Sequence, residues 1–206
     1  MRRSRFITLE GGEGAGKTTQ CTLLVEALAK RHVPVLQTRE PGGSPGAELL
    51  RGILLNGAMD WSPQAETMLH FAARAEHIAK TIRPALDAGT WVVCDRFYDS
   101  TLAYQGYGQG ADRGFIGEQI RLLGMHPDLT LILDVPDSIA AERMHQRAGV
   151  ADRYERLDAG FHTRVRQGFR DVAAADPTRC RLLDASADIQ DVHTTIMTAV
   201  WTQLAA

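Results

Sequence analysis

A chain of 206 residues, 44% hydrophobic and 23% charged, has the make-up of a globular fold with room for a substantial core; disordered and fibrous classes are excluded. Its 23 Lys and Arg against 25 Asp and Glu leave a net charge of −2, which excludes a broad basic footprint for nucleic acid or acidic membranes. Cys21, Cys94 and Cys180 form no C-x-x-C pair, and they read as small buried hydrophobes in a reducing compartment. No apolar run reaches membrane-spanning length and residues 1–10 are too polar for a secretory signal, so a cytoplasmic protein is expected.

The first predicted strand, residues 5–9, runs into Gly11-Gly12-Glu13-Gly14-Ala15-Gly16-Lys17-Thr18. A helix over residues 18–31 follows, with Leu23, Leu24, Ala27 and Leu28 at helical spacing. A second strand is expected at 34–38. Ser62 then offers an N-cap and Pro63 a first helical position for a long helix towards Asp87, ending at Gly89, with Pro84 kinking or breaking its last turn. Further strands are expected at 91–94, 129–133 and 181–183, and helices at 138–147, 158–174 and 188–204. The glycine-dense stretch Gly106–Gly110 and residues 148–152 read as loops. Near-continuous apolar strands alternating with helices predict an α/β fold, a parallel sheet with ligands at the carboxyl ends of its strands. No repeat or linker divides the chain, so a single domain over 1–206 is expected.

Residues 11–18 match G-x-x-x-x-G-K-[ST] without a gap, between a strand and a helix, as a phosphate-binding loop requires. The backbone N–H groups from Gly11, Gly12, Glu13, Gly14, Ala15 and Gly16 to Lys17 and Thr18 can converge on phosphate oxygens, and the helix N-terminus adds partial positive charge. Lys17 can reach the β- and γ-phosphates of a nucleoside triphosphate, and the Thr18 hydroxyl suits Mg²⁺. The chain lacks an N-K-x-D base-reading motif and is too short for motor or helicase machinery. Its downstream arginines point to a kinase for a small anionic acceptor. A kinase for another nucleotide or nucleoside, or a switch-type NTPase, are the alternatives.

Four segments, TREPGG (38–43), FAARAEH (71–77), DRFYDSTLAYQG (95–106) and RAGVADRYE (147–155), then give the chain a resemblance to bacterial thymidylate kinases, from about Phe6 to the last helix. The resemblance implies the three-layer P-loop NTPase fold with a five-stranded parallel sheet, a flexible lid around 143–155, transfer of phosphoryl from MgATP to dTMP, and a homodimer packed through helices. By the same resemblance, Arg39 and Arg96 clamp the acceptor monophosphate and Glu13 lies near its 3′-hydroxyl. Arg74 reaches the thymine edge, Ser100 or Thr101 bonds the N3–H side, and Tyr104 and Gln105 lie against the sugar, where a bulky phenol excludes a 2′-hydroxyl. Asp95 binds Mg²⁺ through water or orients Arg96, and Asp134 is a weaker candidate for similar work. Many relatives carry phenylalanine four residues before the arginine; here His70 stands there and Phe71 follows, and Phe71 is the expected stacking ring because His70 loses solvation for a weaker apolar contact. No arginine occupies the phosphate loop, so lid arginines, Arg147 and Arg153 with Arg143 beside them, are expected to stabilise the charge on the transferring group.

Overall fold

The computed structural model of the protein describes residues 4–56, 59–146 and 153–204. Five strands, β1 (Phe6–Glu10), β2 (Val35–Arg39), β3 (Trp91–Asp95), β4 (Leu129–Asp134) and β5 (Cys180–Asp184), form one all-parallel sheet in the order β2-β3-β1-β4-β5. Each expected strand is present, shifted or lengthened by a residue or two. Period-2 alternation divides the sheet between two cores. Ile7, Leu9, Val93 and Leu131 face the layer of α1 (Lys17–Ala29) and α9 (Ile189–Leu204), while Phe6, Val92, Cys94 and Ile132 face the opposite layer. All three cysteines are free and buried.

Several helices depart from the sequence reading. Two went unread: α2 (Pro45–Leu55), capped by Ser44, whose hydroxyl accepts from Ala47 N, and α6 (Arg113–Leu123), capped by Asp112. The long helix opens at Ser62 as expected, as α3 (Pro63–His77), but Pro84 does not break it. A wide π-helical turn, Ile78–Ile82, precedes the proline, with Arg83 N–H donating five residues back to Ile78, and α4 (Arg83–Asp87) continues the helix. The wider turn makes room where a proline ring would otherwise meet the carbonyl one α-helical turn earlier.

Gly106–Gly110 is also corrected. After α5 (Tyr98–Thr101) the chain forms a π-helical segment, Leu102–Gly108, that includes Gly106 and Gly108. It packs on α8 (Ala159–Ala175) so closely that a Cβ at Gly108 would lie 2.5 Å from the Phe161 ring. Glycine here serves close packing. Helix α7 (Asp137–Gln146) precedes residues 147–152, which lie outside the described residues together with the expected loop 148–152 and Arg147.

Candidate active site

The carboxyl ends of β1, β2 and β3 and the loop after β5 surround a cavity of about 1200 Å³. In a parallel sheet every strand ends on the same side, so residues distant in sequence meet there. The phosphate loop leaves β1 at its centre. Gly14 (φ 71°) takes the left-handed conformation that favours glycine, and a side chain there would press on the Ala140 carbonyl. Glu13, Gly14, Ala15, Gly16, Lys17 and Thr18 line the cavity, and Gly11 and Gly12 do not. Lys17 is buried, its Nζ donating to Gly12 O at 2.7 Å. Burial lowers its pKa, and so does the nearby Arg96 charge, against the opposing pull of Glu13 and Asp95. The loop therefore holds an ammonium that gains from an arriving anion.

Arg96 follows β3 with φ at 69°, a left-handed conformation costly for a residue with a side chain. It is held there from both sides: Arg96 N–H donates to Leu9 O at 2.9 Å and Phe97 N–H to Glu10 Oε1 at 2.7 Å. Its guanidinium donates to Glu13 Oε1 (2.6 Å), Tyr104 Oη (2.9 Å), Gly11 O and Ser100 Oγ (both 3.1 Å). Burial works against its charge, but the Glu13 carboxylate, with Asp95 nearby, outweighs that, so its pKa is raised and the charge is secure. Tyr104 Oη also donates to Glu13 Oε1 at 2.8 Å. Burial pushes the Tyr104 phenol up, keeping it neutral. Glu10, fully buried, accepts from Ser100 Oγ at 2.6 Å; burial and then Asp99 push its pKa up to about 8.

The acceptor-side expectations meet at this wall. Arg39, Arg74, Arg96, Ser100, Thr101, Tyr104 and Gln105 all line the cavity. Arg39 is half-exposed and paired with Glu48 through both carboxylate oxygens (3.1 and 3.2 Å). Arg51 of the unread helix α2 lines the same wall, its Nη1 donating to Pro41 O at 2.7 Å. The signal for it was a Ser44-Pro45 cap of the same kind as Ser62-Pro63.

Phe71 is a correction. It does not line the cavity; His70 does. Residues four apart share a helix face, so His70 looks the same way as Glu66 and Arg74, whereas Phe71 sits 100° round, its ring 5.0 Å from the Arg74 guanidinium carbon. His70 does not go without a polar partner: its Nε2 lies 2.9 Å from Tyr154 Oη, whose own proton goes to Glu66 Oε1 at 2.7 Å. The Nε2–H tautomer follows. Burial, with the charges of Arg74, Arg96 and Arg153, lowers the His70 pKa to about 3, so the ring is neutral.

That depressed pKa has a sign for stability. In the unfolded chain His70 takes its proton near pH 6.5, so acid favours unfolding as pH falls from 6.5 towards 3. Between pH 6.5 and 5 the wild type is expected to lose about 2 kcal/mol through this group. His70→Phe removes that share of the slope, at a pH-independent cost of about 1 kcal/mol for the Tyr154 bond. Urea unfolding of both proteins across this range checks it; parallel pH profiles would count against a buried neutral imidazole.

Arg153 stands apart from the phosphate loop. It pairs with Glu66 Oε2 at 2.6 Å and does not line the cavity. Glu66 is fully buried and also accepts from Gln105 (2.9 Å) and Gln109 (2.8 Å), and a buried carboxylate demands a cation. Arg143 turns to the far wall, donating to the carbonyls of Ala185 (2.9 Å), Ser186 (3.4 Å) and Ala187 (3.3 Å). Asp134 is taken by Arg166 and Arg170, each at 2.7 Å, behind the phosphate loop.

Thr18 Oγ1 donates to Asp95 Oδ2 at 2.6 Å. A hydroxyl and a carboxylate beside the phosphate loop are oxygen donors of the kind Mg²⁺ takes. Among the described residues no group of three His, Cys, Asp or Glu could hold a metal by itself.

Comparison with known proteins agrees over nearly the whole chain. The family profile described as Thymidylate kinase matches residues 9–196. A thymidylate kinase of Rhizorhabdus wittichii is 52% identical, covering 95% of this chain and 96% of its own. One of Gluconobacter oxydans is 51% identical, covering 95% and 93%. Among solved structures, the thymidylate kinase of Ehrlichia chaffeensis superposes with a TM-score of 0.78 at 38% identity, covering 96% of this chain and 98% of that one.

Proposed function

The chain belongs to the thymidylate kinase family, and from that premise we propose how its residues divide the transfer of the γ-phosphoryl group of ATP to dTMP, giving dTDP and ADP. The observation that carries the division is the phosphate loop's position at the middle of one cavity. The acceptor wall rises on the β2–β3 side, and the loop Ala185–Asp188 with Arg143 on the β5 side.

In this reading dTMP lies on the acceptor wall. His70, in place of Phe71, offers its neutral ring to the thymine, Arg74 donates to the 4-oxo group, and Ser100 or Thr101 lies at the N3–H side. Tyr104 and Gln105 back the sugar with Glu13 near its 3′-hydroxyl, and Arg39, Arg51 and Arg96 hold the phosphate. ATP places its phosphates on residues 11–18 and its base towards Arg143 and the loop after β5. Lys17 and Arg96 stabilise negative charge spreading over the transferring group, with little covalent chemistry left to perform. Mg²⁺ held at Thr18 and Asp95 would supply further charge neutralisation. Arg153 acts here by neutralising Glu66 under the sugar wall; Arg147 keeps the charge-stabilising role expected of the lid arginines.

The whole chain is proposed to work as one cytoplasmic kinase domain; among the described residues no helix is long and apolar enough to cross a membrane. We also propose a homodimer, because Leu49 and Ile53 on α2, Met68 on α3 and Leu122 on α6 are large exposed apolar side chains. Light scattering that returns the mass of one chain would remove this element. An ADP-release assay with MgATP against dTMP, dUMP, dCMP, dGMP and AMP tests the whole. The highest kcat/KM is expected with dTMP, and equal ADP release without any acceptor would instead favour a switch-type NTPase.

A further inference from the structure

The end of β2 carries a buried cluster in which Glu40, His77 and Thr38 contact neither substrate in the reading above, while Arg74 meets the base. Glu40 is 4% exposed, and its main-chain N–H donates to Asp95 O at 2.9 Å, tying it to β3. One carboxylate oxygen accepts from Arg74 Nε at 2.6 Å and the other from His77 Nδ1 at 3.0 Å. The far nitrogen of His77, itself fully buried, lies 2.7 Å from Thr38 Oγ1. Arg74 also donates from Nη1 to Thr101 Oγ1 (3.2 Å) and from Nη2 to Phe97 O (3.1 Å). Phe71 and Phe97 place their ring centroids 5.0 and 5.4 Å from its guanidinium carbon.

Three of the guanidinium's five N–H groups are thus assigned, leaving one on each terminal nitrogen. Without the Nε contact the plane could turn about its last side-chain bonds and present either nitrogen, or neither, to the cavity. With it, the orientation is set by a carboxylate that is itself braced from behind. We propose that Glu40, steadied by His77, is a positioning residue that fixes which donors Arg74 presents to the acceptor's base, and thereby sets selection of a 4-oxo over a 4-amino pyrimidine monophosphate. A fixed N–H meets a carbonyl acceptor in the first and another donor in the second. Sites built to hydrogen-bond one group reject its mismatch strongly because the buried partner is left unpaired. This rests on the assignment of Arg74 to the base.

The test compares kcat/KM for dTMP and dCMP in the wild type, Glu40→Gln, His77→Gln and Arg74→Ala, with KM for ATP as a second readout. Glu40→Gln is expected to cut the dTMP:dCMP ratio at least tenfold, mainly through a higher KM for dTMP, with KM for ATP within twofold. His77→Gln, which leaves the ion pair in place and serves if Glu40→Gln does not fold, is expected to cut the ratio about threefold. A merely structural cluster would lower both activities together and leave the ratio unchanged. A wild-type ratio in the folded Gln variants, with Arg74→Ala shifted, overturns the proposal and spares the assignment of Arg74. An unchanged ratio in Arg74→Ala overturns both.

Discussion

Lys17→Ala is expected to lower kcat by roughly a thousandfold or more while leaving the melting temperature unchanged or higher. The two halves have one cause. Lys17 is a buried ammonium beside the Arg96 guanidinium, and its depressed pKa records that the folded protein strains to keep it charged. An anion on the phosphate loop turns that liability into attraction, and the attraction grows as charge spreads over the transferring oxygens. Removing the side chain takes away about 4 kcal/mol of transition-state stabilisation at that rate loss and relieves an unfavourable burial in the free enzyme. Steady-state kinetics and thermal melting of the same preparation check both. A kcat within tenfold of wild type would falsify the assignment.

Arg96→Ala is expected to be as damaging to activity, with the opposite sign for stability. A loss of at least a thousandfold in kcat/KM for dTMP follows if Arg96 both holds the acceptor phosphate and faces the transferring group. Here the free enzyme also suffers, because Glu13 and Tyr104 lose a charged partner in a largely buried setting. That costs on the order of 2–3 kcal/mol. Part of the loss should be recoverable through the backbone. The φ of 69° suits glycine, so Arg96→Gly is expected to be about 1 kcal/mol more stable than Arg96→Ala and equally inactive. Denaturant unfolding of the pair separates the strain from the side chain. If alanine and glycine are equally stable, Arg96 is not held against its own preference.

Much of this architecture was legible because its signals are local. A phosphate loop between strand and helix is one continuous stretch, and each strand announced itself as a short apolar run. Helix α2 went unread because Gly46 and Gly52 dilute PGAELLRGILL, although Ser44-Pro45 carried a start signal. The segment Leu102–Gly108 looked like a loop because the reason for its glycines, the Phe161 ring, is supplied by a helix 53 residues later. The same limit governed the site. Whether His70 or Phe71 faced the cavity depended on the phase of α3, and the partner that makes a buried histidine tolerable, Tyr154, lies 84 residues away. The pairing of Arg153 with Glu66 was hidden for the same reason: nothing near it in sequence reveals that Glu66 is fully buried and in need of a cation.

The π-helical turn at Ile78–Ile82 bears on how this chain can change in length. Each residue of a helix advances the direction of its side chains by about 100°. The wide turn lies between a face that carries Glu66, His70, Arg74 and His77 and the start of β3, which is registered against β1 and β2. The wide turn holds one residue more than a regular helix needs and could lose it with both flanks still in phase, but losing one within α3 would rotate the acceptor face against β3 by that angle. Either the acceptor wall turns away from the cavity or β3 slips by one place and exchanges its two faces. A one-residue deletion between Glu66 and His77 is therefore expected to abolish activity, while substitutions at exposed Lys80 or Asp87 pass freely.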